Sequence, residues 1–352
     1  MKRDVLVMNV GSSSVKYSVF KNNKLVEKSN FERVFTRKER EKTVSKIFER
    51  IDVSGIGCVA HRVVHGGSIT GAKKVTKNLL VELRKISELA PLHEIPEIEV
   101  IEACMKKLNV PQIAVFDTAF HQTMHLKAKA YGLPYKYYLK GIRKYGFHGV
   151  SHEYVSRGLK GKVITCHLGN GCSVTAVKDG KSVDTSMGFT PLEGLVMSTR
   201  SGSLDPSVIP YMVKHEKISL EKISNLLNKE SGLLGVSGKS HDLRDLTKSK
   251  NKRSLLAAEM FFYSVAKQIG AFAAAMNGVN TIVFTAGIGQ NNADVRKRIL
   301  GYFGYLGVKL DNAKNKKNSR VISSKNSKVK VMVIPTDEEK AIASQAIKVI
   351  EK

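Results

Sequence analysis

Clusters of polar and charged residues, each flanked by glycine or lying beside an apolar run, occur at several points along this chain. Their sequences are His-Arg-Val-Val-His-Gly-Gly, Val-Phe-Asp-Thr-Ala-Phe-His, Tyr-Gly-Phe-His-Gly and Cys-His-Leu-Gly-Asn-Gly. Because α/β proteins place their sites at strand ends, chemistry is expected at these positions. Arginine and imidazole stabilise phosphoryl oxygens, while the oxygens of Asn9, Asp117 and Glu338 suit Mg²⁺. The combination predicts phosphoryl transfer from a nucleotide.

The opening of the chain predicts a β-hairpin with a donor-rich bend. Two β-branched apolar runs, Val-Leu-Val-Met-Asn-Val and Val-Lys-Tyr-Ser-Val-Phe, flank the sequence Gly-Ser-Ser-Ser. The bend presents the backbone of Gly11, the hydroxyls of Ser12 and Ser14, and the ammonium group of Lys16. Such a turn can cradle phosphate, although a plain solvated turn has a similar composition. The hairpin therefore indicates a phosphate site only together with the other clusters.

A zinc enzyme is the alternative raised by the ten histidines. No HExxH motif is present, and His61 and His65 lie on a predicted strand, where they need not share a face. The four cysteines form no CxxC pair and lie beside apolar residues, which predicts buried free thiols in a reducing cytoplasm. The sequence therefore favours oxygen-bound Mg²⁺ over zinc.

The predicted elements fall into two blocks, before and after about residue 117. Each block begins with a strand hairpin and continues with alternating helices and strands. Further strands are predicted at 57–64, 112–117, 281–285 and 330–334, and helices at 37–51, 77–89, 96–107, 206–214, 219–228 and 254–277. A last helix is predicted after its cap, Asp337. The repeated order predicts an α/β fold with two related domains and a cleft between them.

Composition narrows the class of protein. The chain has 352 residues, of which 42% are hydrophobic, and its formal net charge is +27. The length favours two domains, and the dispersed lysines indicate solubility and steering of anionic substrates, with no nucleic-acid partner predicted. The longest apolar segment is interrupted by Glu259 and Lys267, and the first apolar run ends at Val10. We therefore expect a cytoplasmic protein without a membrane span or a signal peptide.

Ten segments, in order and almost end to end, resemble the acetate kinases (the acetokinase family). They are NVGSSSVKYSVF, HRVVHGG, APLHEIPE, VFDTAFHQTM, YGFHGVSH, ITCHLGNG, VDTSMGFTPLEGLVMSTRSG, SGLLGVSGKSHDLRD, VFTAGIGQNN and VIPTDEE. The resemblance implies the acetate and sugar kinase/Hsp70/actin (ribonuclease H-like) fold, with an active cleft between two domains, and a homodimer. The implied N-terminal domain spans residues 1–117 and is completed by a helix at 339–352. The implied C-terminal nucleotide-binding and dimerisation domain spans 118–338.

The reaction implied by the resemblance is reversible, in-line phosphoryl transfer from ATP to acetate, which gives acetyl phosphate and ADP. It requires Mg²⁺, for which Mn²⁺ can substitute. Acetate is already ionised at neutral pH, so the chemical problem is to bring two anions together. Guanidinium groups, an imidazole and the metal address that repulsion.

The resemblance also implies roles for single residues. The implied catalytic and metal-organising residues are Asn9 and Glu338 for Mg²⁺, Arg62 and Arg200 for the acyl carboxylate and the phosphoryl group, His148 for the transition state, and Asp117 near the metal with His93 as its partner. The residues implied for ATP are Ser12, Ser14, Lys16, His167, Gly169, Asn170, Asp242, Arg244, Gly287 and Gly289. The residues implied for the acetate methyl group are Val64, Leu92, Phe147 and Pro191, together with Arg62 at the carboxylate.

Some positions depart from the residues usual in the family. Gln290 replaces a usual glutamate beside the nucleotide, which leaves nucleotide preference open, and Glu94-Ile95 replaces a usual Asn-Pro. The segment 21–57 is also shorter than is typical.

Two alternatives remain open at the level of sequence. A propionate kinase has nearly the same motifs, but Val64 leaves room for a methyl group and favours acetate. From another class, a non-catalytic nucleotide- or RNA-binding protein has no need for Arg62, Asp117, His148, Arg200 and Glu338 together.

Overall fold

The computed structural model describes residues 4–11, 13–87 and 91–351, with the backbone alone for residues 91–93. The predicted roles of Ser12 and of the Leu92 and His93 side chains lie outside the described residues.

Two compact units make up the chain. The first comprises Met1–Gln122, Phe147–Tyr154 and Asp337–Lys352, and the second comprises Thr123–Gly146 and Val155–Thr336. The predicted boundary at residue 117 differs from this division in three places. Residues 118–122 and 147–154 pack with the first unit, and so do Asp337 and Glu338.

The first unit is built on a six-stranded sheet with the order β3-β2-β1-β4-β6-β5. Its strands are β1 (Asp4–Gly11), β2 (Ser14–Lys21), β3 (Lys24–Glu32), β4 (Ile56–Val63), β5 (Lys73–Lys74) and β6 (Gln112–Phe116). The first three strands form an antiparallel meander, as the opening hairpin predicts, whereas β1, β4 and β6 run parallel. The carboxyl ends of these three parallel strands therefore meet at one edge of the sheet.

The second unit contains a five-stranded sheet with the order β11-β10-β7-β8-β9. Its strands are β7 (Lys162–Leu168), β8 (Cys172–Lys178), β9 (Lys181–Thr185), β10 (Thr281–Thr285) and β11 (Lys330–Val333). Again an antiparallel meander precedes two strands that extend the sheet in parallel. Apart from the short β5, the two sheets have the same strand order, which confirms the prediction of an α/β fold with two related sheets.

Helices cover and connect these sheets. Over the described residues they are α1 (Arg37–Arg50), α2 (Lys77–Ile86), α3 (Pro91–Lys107), α4 (Leu126–Lys129), α5 (Tyr135–Leu139), α6 (Gly149–Ser156), α7 (Val208–Glu216), α8 (Leu220–Asn225), α9 (Gly232–Ser237), α10 (Leu243–Lys248), α11 (Lys252–Ala275), α12 (Ala286–Asn291), α13 (Ala293–Leu300), α14 (Asn312–Lys316) and α15 (Glu338–Ile350). Short 3-10 turns lie at Val53–Gly55, Ala119–Thr123 and Gly301–Leu306, and a π turn lies at Leu226–Glu230. Within the described ranges, none of the helices combines the length and the apolar character that a bilayer span requires.

Strand β1 is apolar on both faces because both faces are covered. Leu6 and Met8 belong to the core cluster shared with α1 and α3, whereas Val5 and Val7 pack in the cluster shared with α15. Each such buried side chain contributes about 1.5–3 kcal/mol to the free energy of unfolding. This burial fixes the register of β1 and therefore the face on which its last polar residue lies.

The start predicted for one helix was wrong. Helix α3 begins at Pro91 and contains Pro96, whereas the sequence predicted its start at Pro96. A proline at the first helical position loses no hydrogen bond, so the helix begins there. The segment Ala286-Gly287-Ile288-Gly289, which directly follows β10, forms the start of α12.

Candidate functional site

Three polar side chains lie at the carboxyl ends of the parallel strands in the first unit. Asn9 lies two residues before the end of β1, Arg62 lies near the end of β4, and Asp117 directly follows β6. On the sheet face that packs against α15, Val7, Ala60 and Val115 are buried. Each of the three polar residues lies two positions after one of these buried residues. Since successive strand residues alternate between faces, the three side chains project on that same face.

Arg62 joins the other two side chains. Its guanidinium forms a bidentate ion pair with Asp117, with Nη2 donating to Oδ2 at 2.6 Å and Nε donating to Oδ1 at 3.2 Å. Its Nη1 donates to Asn9 Oδ1 at 3.2 Å. Burial lowers the pKa of Arg62, but the charges of Asp117 and Glu338 outweigh burial, so the pKa is raised overall. Arg62 therefore stays charged, and Glu338 in the first turn of α15 belongs to the same electrostatic cluster.

His148 and Gly149 bring a second segment to Asp117. The Gly149 N–H donates to the Asp117 carbonyl oxygen at 2.8 Å, and His148 adopts the left-handed conformation with φ 57°. Such a φ is uncommon for a residue other than glycine and is found disproportionately at functional sites. A Cβ on Gly149 would lie far inside van der Waals contact with that carbonyl oxygen and 3.0 Å from Phe120 Cβ. Glycine at position 149 is therefore what allows His148 and Asp117 to lie in adjacent segments.

An apolar wall lies beside this cluster. Val64 and Phe147 are both buried, and the Phe147 ring meets the His65 ring edge to face, with centroids 5.6 Å apart. Val64 follows Arg62 by two residues, and Phe147 directly precedes His148, so both lie on segments that reach this cluster. These are two of the residues predicted for the methyl group.

The hairpin bend adds the predicted phosphate residues to this sheet. Asn9 and Lys16 are directly opposed across β1 and β2, so their side chains share a face, and Lys16 is exposed. Gly11 pairs with Ser14, which closes the bend with two residues between them. A mobile ammonium group and a hydroxyl are therefore available at this end of the first sheet.

The second unit contains a separate cavity of about 580 Å³. It is lined by Gly169, Asn170, Ser198, His241, Asp242, Leu243, Arg244, Gly287, Ile288, Asn291 and Asn292. Gly169 and Asn170 form the bend between β7 and β8, and Gly287 lies just after β10, which neighbours β7 in the sheet. The cavity therefore occupies the carboxyl ends of two parallel strands, the position that Arg62 and Asp117 occupy in the first unit.

Five of the predicted nucleotide residues line this cavity, and two others lie behind it. Asp242 caps α10 and accepts hydrogen bonds from the Arg244 side chain, which lower the pKa of Asp242. Gly289 is buried, with Cys166 and Leu168 of β7 nearest to its missing Cβ, so it packs α12 onto the sheet. His167 is a buried residue of β7 that precedes the lining bend.

Arg200 and Pro191 lie together in the second unit. The Arg200 Nη1 donates to the Pro191 carbonyl oxygen at 3.3 Å. Among the described residues, Arg200 forms no ion pair with a carboxylate, and burial lowers its pKa. A partly buried guanidinium with unused donors is suited to binding an anion.

Arg296 supports the cavity, and the sequence analysis did not identify it. It is fully buried, and its guanidinium donates to five neutral oxygens, including the carbonyls of Gly289 and Gln290 at the end of α12. The other acceptors are the Asn315 side chain, the Asn315 carbonyl and the Asn318 side chain. Burial lowers its pKa to about 10. The acceptors lie at the end of α12 and in and after α14, and they meet Arg296 only in the folded chain. No local sequence pattern could therefore have identified these contacts.

Comparisons with known proteins agree along nearly the whole chain. The sequence model of the acetokinase family matches residues 38–344. The acetate kinase of Thermoanaerobacterium thermosaccharolyticum is 46% identical over 395 aligned positions, which cover 99% of both chains. Because 395 positions exceed the 352 residues of this chain, that relative contains segments that are absent here.

Solved structures give the same relationship. A propionate kinase from Francisella tularensis subsp. tularensis superposes with a TM-score of 0.90 and 39% identity, covering 97% of this chain and 98% of that one. The acetate kinase of Porphyromonas gingivalis superposes with a TM-score of 0.90 and 38% identity, covering 99% of each chain.

Proposed function

Because the chain belongs to the acetokinase family, we propose that it transfers a phosphoryl group reversibly between ATP and acetate, with acetyl phosphate and ADP as products. Its fold is the α/β fold of acetate and sugar kinases, Hsp70 and actin. The observation that carries the proposal is the Arg62 cluster, since its cation, carboxylates and carboxamide are the groups that such a transfer uses.

Arg62 binds the acyl carboxylate and neutralises its charge. The side chain is held by Asp117 and Asn9 in a fixed orientation, so little rotamer entropy is lost when an anion binds. Acetate attacks as a carboxylate and needs no general base. The barrier lies instead in bringing two anions together, which a preorganised guanidinium lowers. Arg200 and His148 supply further donors to the transferring phosphoryl group, and Asp117 keeps Arg62 in place.

Asn9 and Glu338 are the residues that would hold Mg²⁺. Both provide hard oxygen ligands, and Asn9 Oδ1 retains a second lone pair beside the one that accepts from Arg62. Mg²⁺ usually takes one or two protein oxygens and completes its shell with phosphates and water, which fits so small a donor set. When bound, the ion neutralises charge on the nucleotide phosphates.

The cavity of the second unit binds the nucleotide. Its glycine-rich bends, Gly169-Asn170 and the start of α12, let backbone N–H groups approach phosphates closely. Asp242 and Arg244 lie at its rim. When the nucleotide binds, Asp242 and Arg244 exchange their mutual contact for contacts with it. The Arg244 side chain can do this because it is largely exposed.

Replacing Gly287 by leucine is expected to raise the KM of ATP by about tenfold or more. A Cβ at this position meets no atom within 4 Å, so the added side chain extends into the cavity without disturbing the core. The KM of acetate and the unfolding midpoint are expected to stay near wild type. Gly301→Leu is the matched control, because its Cβ also meets open space and it lies outside the cavity. Steady-state kinetics with each substrate varied checks this, and an unchanged KM of ATP would remove the nucleotide from the cavity.

Acetate is the preferred acid because Val64, a buried β-branched residue, leaves room for a methyl group. One additional methylene changes discrimination by about 1–3 kcal/mol, so propionate remains a poorer substrate. The test is hydroxamate formation from acetate, propionate and butyrate with ATP and Mg²⁺, compared by kcat/KM. Acetate is expected to lead. A lead for propionate would overturn the acetate assignment, and no product with any acid would overturn the kinase proposal.

The protein acts in the cytoplasm as a homodimer. The dimer proposal is supported by an exposed apolar stripe on α11, formed by Leu256, Met260 and Tyr263, with Tyr302 beside it. Residues 256, 260 and 263 are spaced to lie on one helix face. Light scattering after gel filtration is expected to give twice the mass of one chain, and a monomer at micromolar concentration would contradict it.

A further inference from the structure

We propose that Glu94 and Glu97 form a buried, proton-sharing carboxyl pair that positions Val64 and His65 for binding of the acyl substrate. This inference rests on the proposed function, since it concerns the wall of the same acyl site. The two glutamates are three residues apart on α3, which places them on one face of the helix. Both are essentially inaccessible to solvent, with 0% and 2% of their surface exposed.

Each carboxyl group accepts one backbone hydrogen bond from the segment that follows β4. Glu97 Oε2 accepts from the Val64 N–H at 3.0 Å, and Glu94 Oε1 accepts from the His65 N–H at 2.6 Å. The pairing of β4 with β6 ends at Val63, so these two N–H groups have left the sheet. The glutamates therefore provide the hydrogen-bond acceptors that a neighbouring strand would otherwise provide for Val64 and His65, the first two residues after β4.

The other oxygen of each carboxyl group requires a proton. Among the described residues, Glu94 Oε2 and Glu97 Oε1 are buried and have no hydrogen-bond partner. Leaving a charged buried oxygen unsatisfied is costly, whereas one proton held between the two groups satisfies both oxygens. With such a shared proton, one group is a carboxylic acid that donates to its neighbouring carboxylate.

Burial and the Asp117 charge favour retention of that proton, whereas the Arg62 charge opposes it. Arg62 acts on the pair from β4 and Asp117 from the end of β6. His65 lies next to the pair, and its Nδ1 accepts the Gly67 N–H. Burial, with the Asp117 charge, raises the pKa of Glu94 to about 8, and burial with the Glu94 charge raises the pKa of Glu97 well above its ordinary value. The pair therefore holds a proton at neutral pH.

The pair acts on the acyl site through the backbone. Val64 belongs to the apolar wall, and the hydrogen bond from its amide to Glu97 holds the backbone two residues after Arg62. Removal of one carboxyl leaves a backbone N–H unpaired in a buried place, and the wall moves. Glu94 and Glu97 are thus positioning residues that touch no substrate.

Alanine variants test this positioning role. Glu94→Ala and Glu97→Ala are each expected to raise the KM of acetate about tenfold and to change the KM of ATP much less. Glu94→Gln recovers most of the loss, because its amide oxygen accepts from His65 and its NH₂ donates to Glu97. Glu102→Gln is the control, since Glu102 lies on the same helix and forms ion pairs with Arg37 and Arg84. Equal increases in both KM values would overturn the inference.

A pH profile separates the shared proton from simple packing. Wild-type KM for acetate is expected to rise as the pH passes about 8, when Glu94 ionises while Glu97 keeps its proton, because a negative charge then appears beside the acyl site. Glu94→Gln removes that dependence, because the amide donates without titrating. A Glu94→Gln profile parallel to wild type would contradict proton sharing. Inactive wild-type protein would instead count against the proposed function, so the two failures are distinguishable.

Thermal stability gives a readout that needs no activity. The folded state holds the proton to a higher pH than the unfolded chain, whose glutamates ionise near pH 4.3, at roughly their ordinary pKa. The free energy of unfolding therefore falls as the pH rises from about 4.5 to about 8. Over this pH range, the Tm of Glu94→Gln is expected to rise relative to the Tm of wild type. A constant difference across the window would overturn the inference.

Discussion

Replacement of Arg62 by alanine lowers kcat by about 100-fold or more, and this is the largest kinetic effect we expect. The variant loses the cation that Asp117 and Asn9 orient together, so the charges of the acyl and phosphoryl groups are no longer offset. Arg62→Lys keeps the charge but loses the bidentate contact, and it should recover only part of the activity. Steady-state kinetics with saturating ATP measures the effect.

Two further variants make this result interpretable. Arg298→Ala removes an arginine that is paired with Glu259 and Asp294 on the surface, and its kcat should remain near wild type. Arg200→Ala should resemble Arg62→Ala, because Arg200 has no carboxylate partner among the described residues and is available to the substrate. Near-normal turnover of folded Arg62→Ala would contradict the role assigned to the cluster.

Gly149→Ala should be both unstable and nearly inactive. The added Cβ clashes with the Asp117 carbonyl oxygen and crowds Phe120, so α6 must move away from the end of β6. The hydrogen bond from Gly149 to Asp117 breaks, and His148 is displaced with it. We expect a loss of about 3 kcal/mol in the free energy of unfolding, with kcat reduced by about 100-fold in the molecules that remain folded. Urea denaturation and kinetics below the transition give both values.

Gly304→Ala is the matched control for this substitution. It adds the same methyl group at a glycine whose Cβ meets nothing within 4 Å, so stability and turnover should stay near wild type. Wild-type stability in Gly149→Ala would mean that the segment from His148 onward adapts freely. In that case the close approach to Asp117 would not hold the site together.

Local sequence patterns predicted much of the first site. Apolar alternation placed the ends of β1, β4 and β6 within about one residue, and the polar residues at those ends were identified from type and position. Their meeting follows from topology, because three parallel strands that are neighbours in a sheet bring their carboxyl ends to one edge. Arg62 and Asp117 are 55 positions apart along the chain, yet adjacent strands make them an ion pair.

Contacts between segments were beyond the reach of those patterns. The closeness of Gly149 to Asp117 and the five acceptors of Arg296 depend on how folded elements lie against each other. The burial of Glu97 and its hydrogen bond with the Val64 amide likewise depend on how α3 packs against the segment after β4. The start of α3 was missed because Pro96 suggested a helix boundary, although the preceding turn was already helical.

Phosphorus-31 NMR of the wild-type protein with ATP, Mg²⁺ and acetate tests the central claim most directly. Our account predicts that the γ-phosphate resonance of ATP declines while acetyl phosphate and ADP appear in equal amounts. Without acetate, ATP should persist, and acetyl phosphate added with ADP should regenerate ATP. Release of inorganic phosphate alone, or no change when acetate is added, would contradict transfer to the carboxylate.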